Sequence, residues 1–480
     1  MNLRQQTVIG MKFSALISVM KVILPIITYS FLLRFLDADE FGLVAMVFSF
    51  TGIVNIFQDS GLSSAVIHFQ DTGKKELSTI FSFNVLFGIL LAVGTFFLAP
   101  LVASFYNENE LTHLIQIITI SFIFFSVSQL HLTLLKKNLH FNVIARIEVI
   151  GNISNSTMAV ILAYHDFGAL SLVYGNLTYA IVKTILLLLN KQEQFSMKLD
   201  FNFREIKKYF VFGYYHVGEK LINFFNSNVD QILIGKMLGK ASLGYYSIAM
   251  QLVAQPLQKI NPMINQVIFP VFSKIQNENE KLKNAYYEML RYLSLINFPL
   301  LLGLAAVAFP FMEVYSGSGW EQSAVIIQIL AVNALVVVVN NPVGSLQLAK
   351  GRPELGFYWN LAVAFLMPVS IFFAAKFDLV TVAVVRLGLY YILYIFMYLF
   401  LIKPLIGKSL KQYFIDSFAL PFLAAGFMAG IVYLVINVIY LPEVYELATG
   451  VITGVFVYAI LIFVFYKKDV SSLYKMFFKK

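Results

Sequence analysis

The sequence predicts an all-α polytopic membrane protein of about fourteen transmembrane helices: two pseudo-symmetric six-helix lobes plus two C-terminal helices. Three observations predict it. The 480 residues are 59% hydrophobic and 13% charged, with a mean hydropathy of +0.77, whereas a soluble chain of this length needs more polar surface. The apolar residues come in runs of about 20, enough to cross a bilayer as helix, and not in the two-residue alternation of a membrane β-strand. Finally, basic residues alternate between rich and poor loops along the chain.

Taken in order, the runs lie near 10–33, 41–63, 78–104, 111–135, 141–163, 168–189, 207–235, 243–271, 288–312, 322–348, 355–375, 379–402, 414–439 and 444–466. The first lacks the small-residue cleavage site of a signal peptide and reads as a retained span. With the N-terminus inside, the cytoplasmic segments hold 26 of the 35 Lys and Arg. The outside loops hold four, Arg34, Lys236, Lys240 and Lys376. Such a bias sets orientation in a plasma membrane, and here it predicts that both termini are cytoplasmic. The other five, Lys21, Lys183, Lys220, Lys259 and Arg386, lie within spans away from the cytoplasmic span ends counted above.

The chain repeats itself. Arg34-Phe35-Leu36 and then Phe41-Gly42 return as Lys236-Met237-Leu238 and then Leu243-Gly244, 202 residues later. Phe167-Gly168-Ala169-Leu170 returns as Phe377-Asp378-Leu379-Val380 at an offset of 210. Parallel repeats about an axis along the membrane normal are a transporter architecture, with the substrate site between the halves. This predicts an N-terminal lobe over 1–190, a cytoplasmic linker over 191–208, a second lobe over 209–402, and two further helices with a basic tail over 403–480.

Charges within spans are costly and normally face a cavity or a partner. Lys21, Lys220, Lys259 and Lys183 lie at inner to middle depth; Lys259 is roughly 24 Å below the start of its span at 1.5 Å per residue. Four ammonium groups there suit an anion such as phosphate or pyrophosphate. The plainer reading is snorkelling to the cytoplasmic interface, and it is the better one for Arg386 near the outer surface. Asn223 and Asn228 make the middle of the seventh span polar, suited to sugar hydroxyls or to interhelical bonds. Glu219, turned about 100° from Lys220 on a helix, and Asp230 are candidate coupling or gating carboxylates. Asp59, closing the second span beside Gln58, is a third candidate with an end-capping alternative. Glu148 is expected to pair locally with Arg146. The stretch 236–242 reads as a hinge, and Pro256, Pro262 and Pro270 are expected to break the eighth span.

Other chemistry is excluded or unsupported. With no cysteine, disulfides, thiolate metal sites and cysteine nucleophiles are absent. The six His lack ligand spacing, no metal is expected, and no nucleotide-binding loop or nucleophile elbow occurs. The net charge of +9 is accounted for by topology and needs no nucleic-acid partner. No catalytic residue is assigned, and the chain is not read as an enzyme.

Several stretches together resemble the polysaccharide transporter family: Gln5-Gln6-Thr7 with Gly10, Phe41-Gly42-Leu43-Val44-Ala45-Met46-Val47, and Phe57-Gln58-Asp59-Ser60-Gly61-Leu62-Ser63-Ser64-Ala65. So do Asn228-Val229-Asp230 with Ile234-Gly235 and Leu238-Gly239, and Phe269-Pro270-Val271-Phe272-Ser273. The nearest subgroup looks like the colanic-acid and teichuronic-acid exporters, relatives of Wzx-type flippases in the multidrug/oligosaccharidyl-lipid/polysaccharide superfamily. The resemblance implies alternating-access flipping of an undecaprenyl-pyrophosphate-linked oligosaccharide across a bacterial inner membrane, for exopolysaccharide or lipopolysaccharide biosynthesis. It places Lys21, Lys220 and Lys259 on the cavity-lining spans. No cofactor is implied beyond a coupling proton or sodium ion; the partners are the lipid-linked glycan, membrane lipid, and candidate polymerase and glycosyltransferases. Two alternatives stand beside it: a multidrug or cation antiporter of the same superfamily, which calls for an anionic cavity, and a membrane glycan polymerase, which calls for a large outside loop.

Overall fold

Helix formation answers the need of a backbone in lipid to satisfy its own hydrogen bonds. In a computed structural model, residues 20, 23–59, 61–69, 71–190, 200–407, 410–439 and 441–465 are described, and among them there is no strand. The helices are α1 (Ile23–Phe35), α2 (Ala38–Asp59), α3 (Leu62–His68), α4 (Lys74–Tyr106), α5 (Glu110–Lys137), α6 (Phe141–Tyr164), α7 (Ala169–Leu189) and α8 (Phe203–Lys274). They continue as α9 (Asn279–Ala306), α10 (Ala308–Ser316), α11 (Glu321–Asn340), α12 (Val343–Ala349), α13 (Pro353–Ala374) and α14 (Leu379–Met397). After a π-helical turn come α15 (Lys403–Ile406) and α16 (Leu410–Phe414), then a second π-turn, α17 (Leu420–Val438) and α18 (Glu443–Phe465). Among the described residues, ten helical segments are long and apolar enough to cross a membrane. Their outward side chains are large and bare, as at Phe97 (73% exposed) and Phe365 (71%). Apolar surface on that scale belongs in lipid, and the chain is a multi-pass membrane protein.

Contacts divide it into two compact units, Met1–Gly244 and Tyr245–Lys480. In the first, α2 begins with a reciprocal cap: the Asp37 N–H donates to Glu40 Oε2 and the Glu40 N–H to Asp37 Oδ1, both at 2.9 Å. Small residues set helix spacing, as membrane helices without a hydrophobic drive between them require. Gly175 of α7 sits against Asn155 and Ala159 of α6, and Gly52 of α2 against the Phe224 ring of α8. A cluster of Leu62, Ala65, Ile80, Leu130, Ile206 and Tyr209 fastens the start of α8 to α3, α4 and α5.

Two helices merge across a kink within α8. The non-helical residue is Gly239, with φ 84° and ψ 179°, a conformation that a β-carbon disfavours; it falls within the hinge expected at 236–242. Helix runs unbroken through Pro256, Pro262 and Pro270, so the expected breaks at these prolines do not occur. Proline's φ is helix-compatible, and within a membrane bundle its lost hydrogen bond is tolerated.

In the second unit, α11 is packed against α9 and α14, and its Ile326, Ile327, Leu330 and Ala331 are buried. Helices α17 and α18 pack on each other and on α9, around Val307, Met428 and Val432. Between these three helices lies an apolar groove of about 1060 Å³. Arg386 of α14, expected to snorkel, is instead 7% exposed. Its guanidinium donates to the Tyr246 hydroxyl and lies 5.5 Å from the Tyr390 ring centre. Helix packing, which depth in the membrane does not reveal, buries it.

Candidate functional site

The first arm of α8, residues 203–238, is held at both ends and polar in its middle. At its start, Lys208 Nζ lies 2.8 Å from Glu76 Oε1, and the Tyr209 hydroxyl donates to Glu76 Oε2 at 3.1 Å. Glu76 is itself fixed by the Gly73 N–H, 2.8 Å away, at the cap of α4. At the far end, Lys240 Nζ lies 3.5 Å from Glu108 and 3.7 Å from Asp39. Sequence reading missed both ion clusters, since each lysine lies more than a hundred residues from its carboxylates and each looks like an ordinary loop charge.

Between these ends, Lys220 is half-buried and Asn223 exposed. Asn228 donates its amide to the Phe224 carbonyl at 2.9 Å, one turn back. Asp230 is 2% exposed, and its Oδ1 accepts the Gln231 N–H at 2.8 Å. Lys220, Asn223 and Asn228 thus lie on one helical stretch, with the Asn228 amide turned back onto its own helix. Lys259, on the second arm, is exposed. Lys21 lies outside the described residues, as do the side chains of Glu219 and Asp59. Gln58, beside Asp59, is buried and donates to the Phe122 carbonyl at 2.7 Å.

Lys183 is committed to a partner. Its Nζ lies 2.8 Å from Glu148 Oε1 and donates to the Tyr179 hydroxyl at 2.9 Å. That hydroxyl donates in turn to Glu148 Oε2 at 2.7 Å. Gly151 makes room for the Tyr179 ring. The side chains of Lys183 and Glu148 are 12% and 23% exposed, so the carboxylate offsets the cost of holding the ammonium in lipid. Glu148 therefore reaches across to α7.

The family described as polysaccharide biosynthesis protein matches residues 31–325, a span holding α2 to α10 complete and most of the residues above. The chain belongs to the polysaccharide biosynthesis protein family. Within that family it is 32% identical over 479 residues to the teichuronic acid biosynthesis protein TuaB of Bacillus subtilis (strain 168), covering 98% of each chain. It is 30% identical over 438 residues to the lipopolysaccharide biosynthesis protein WzxC of Escherichia coli (strain K12), covering 90% of this chain and 89% of that one. A solved structure of the lipid II flippase MurJ, in an inward closed conformation, superposes with a TM-score of 0.75 at 17% identity. It covers 96% of this chain and 100% of that one, and at this identity the likeness establishes a shared fold.

Proposed function

We propose that this protein is a flippase that moves an undecaprenyl-pyrophosphate-linked oligosaccharide repeat unit across the bacterial inner membrane, for surface polysaccharide biosynthesis. The observation that carries the reading is the end-to-end match to TuaB, a protein named for teichuronic acid biosynthesis. The fold shared with a lipid II flippase supports a lipid-linked substrate. The protein acts as a transporter and not as an enzyme, and no observation favours the antiporter or polymerase alternatives.

In this reading both termini are cytoplasmic, which the distribution of Lys and Arg supports. Fourteen spans are reached when the ten apolar segments are joined by Ile23–Phe35, the more polar α6 and the two arms of α8. They group as lobes over 1–190 and 209–402, joined by 191–208 and followed by 403–480. The head group enters from the cytoplasm onto Lys21, Lys220 and Lys259, while the polyprenyl tail stays in lipid. Ammonium groups offset the desolvation that otherwise forbids a pyrophosphate from crossing. Asn223 and Asn228 receive sugar hydroxyls, and Lys183 joins by exchanging Glu148 for the anion. Glu219, Asp230 and Asp59 are the carboxylates through which a proton or sodium ion drives the cycle. Polymerase and glycosyltransferases are the partners that consume and supply the repeat unit.

The test is a deletion strain fed radiolabelled sugar. The proposal expects lipid-linked repeat to accumulate on the cytoplasmic face and surface polysaccharide to be lost. Single repeats reaching the outer face normally but never joined into polymer would identify a polymerase instead.

A further inference from the structure

The internal repeat and the contacts at the kink of α8 coincide. At the offset of 202, Ala38 and Gly42 correspond to Lys240 and Gly244. In space Gly42 lies against the backbone of Lys240, and Gly244 against the backbone of Ala38. Each position of one repeat therefore meets the other position of the second repeat, and the reverse. That exchange is the signature of a two-fold, self-complementary interface, here formed inside one chain. An approximate two-fold axis passes between the first turn of α2 and the turn that follows Gly239.

The approach is as close as two helices allow. A β-carbon at Gly42 would overlap the Lys240 carbonyl oxygen, and one at Gly244 the Ala38 carbonyl oxygen. Backbone touches backbone, with no space for water or a sugar between. Gly235 closes the same end below, packed on Tyr106, Met46 and Leu243. Spacing of small residues by four is what lets membrane helices meet this tightly, and it relies on van der Waals contact.

A cation lies beside it and ties its two sides together. The repeat puts a lysine, Lys240, where the first repeat has Ala38. Its Nζ sits between Asp39 of α2 and Glu108 of the α4–α5 turn, at 3.7 and 3.5 Å, and the side chain is 25% exposed. Those separations exceed the 2.8 Å of the pairs at Lys183 and Lys208; partly exposed pairs of this kind exchange readily. The residue before Lys240 is the hinge glycine, Gly239.

We propose that the crossing of Gly42 and Gly244 is the barrier that closes this protein toward the outside, and that Lys240 is the positioning residue that latches it on Asp39 and Glu108. The assignment rests on the flippase reading and its orientation. Transport requires the crossing to part: Lys240 leaves its carboxylates, and the chain swings about Gly239.

The absence of cysteine makes an introduced pair the sole thiols. Asp39→Cys with Lys240→Cys, expressed in the deletion strain, is joined with a thiol-cleavable bis-methanethiosulfonate and later released with dithiothreitol. The expected result is that polysaccharide export stops on linking and resumes on release, with export by the same double variant before linking giving the baseline and the single-cysteine variants controlling for the reagent. Export that continues unchanged while the pair is linked would overturn the proposal. A second arm is independent of the glycan. Gly244→Leu, a wedge at the crossing, is combined with Ala38→Cys, and external labelling by a membrane-impermeant maleimide is compared with Ala38→Cys alone at equal membrane levels. The wedge is expected to raise labelling about tenfold or more, the mark of a shifted population; equal labelling would overturn the barrier. A wedge that opens the crossing in a protein whose deletion leaves export intact would refute the flippase reading and leave the barrier standing.

Discussion

Gly42 and Gly244 occupy equivalent places in the two repeats, and each abuts the backbone of the residue one turn before the other: Lys240 for Gly42, Ala38 for Gly244. A backbone-to-backbone contact in the first unit's hinge region is thus made by the repeat meeting itself. The same few residues locate the hinge, the ion latch and the symmetry of the chain.

Gly244→Ala is expected to force the two backbones apart. Overpacking of this kind costs about 1–3 kcal/mol, so the purified protein should melt at a lower temperature than the parent. An unchanged melting temperature would mean that the contact relaxes without cost. Gly239→Ala tests the hinge separately, because its penalty comes from the φ of 84° and not from crowding.

Lys220 is the described lysine of the first α8 arm's middle, and its charge is what the substrate reading uses. Lys220→Ala should reduce export about tenfold or more, matching the about 1.5–3 kcal/mol of a hydrogen bond to a charged group. Lys220→Arg should retain most activity if a general positive charge suffices. Surface polysaccharide measured at matched membrane levels decides it, and full export by the alanine variant removes Lys220 from the site.

Glu148→Gln leaves the Lys183 ammonium without its carboxylate at membrane depth. Breaking a fully buried pair costs about 3–5 kcal/mol; with Glu148 23% exposed, about 2–3 kcal/mol is expected. Glu148→Leu with Lys183→Met should recover much of that loss, since neither charge then remains. A double-mutant cycle by thermal unfolding in detergent measures the coupling; additive losses would show that the pair contributes nothing jointly.

Tyr246→Phe removes the hydroxyl that receives the buried Arg386 guanidinium. A loss of about 1–3 kcal/mol is expected from a buried donor deprived of one acceptor. Arg386→Met in the Tyr246→Phe background should add less than it does alone. Equal increments in both backgrounds would show that the two side chains act independently.

Much of the architecture is legible in the sequence because lipid leaves few choices. Runs of apolar residues must be helices, and from residue 23 onward the described chain is helical where those runs lie. The hinge interval was readable from Gly239 among the charges Lys236 and Lys240. The prolines misled, because a residue that breaks helices in water is tolerated by a membrane bundle. Arg386 misled for a related reason: its position near a helix start gave depth, but not the face it presents.

By itself, then, the sequence determined the class of protein and the helical runs, which follow from the cost of exposing bare backbone to hydrocarbon, and it displayed the internal repeat. Only the tertiary structure decided which charges are spoken for. It gave Lys183 to Glu148 and Tyr179, Lys240 to Asp39 and Glu108, and Gly42 and Gly244 to each other's repeat. Apart from Tyr179, one turn from Lys183, these partners lie 35 to more than 200 residues apart; their pairing depends on which helix faces meet, and hydropathy along a chain carries no information about that.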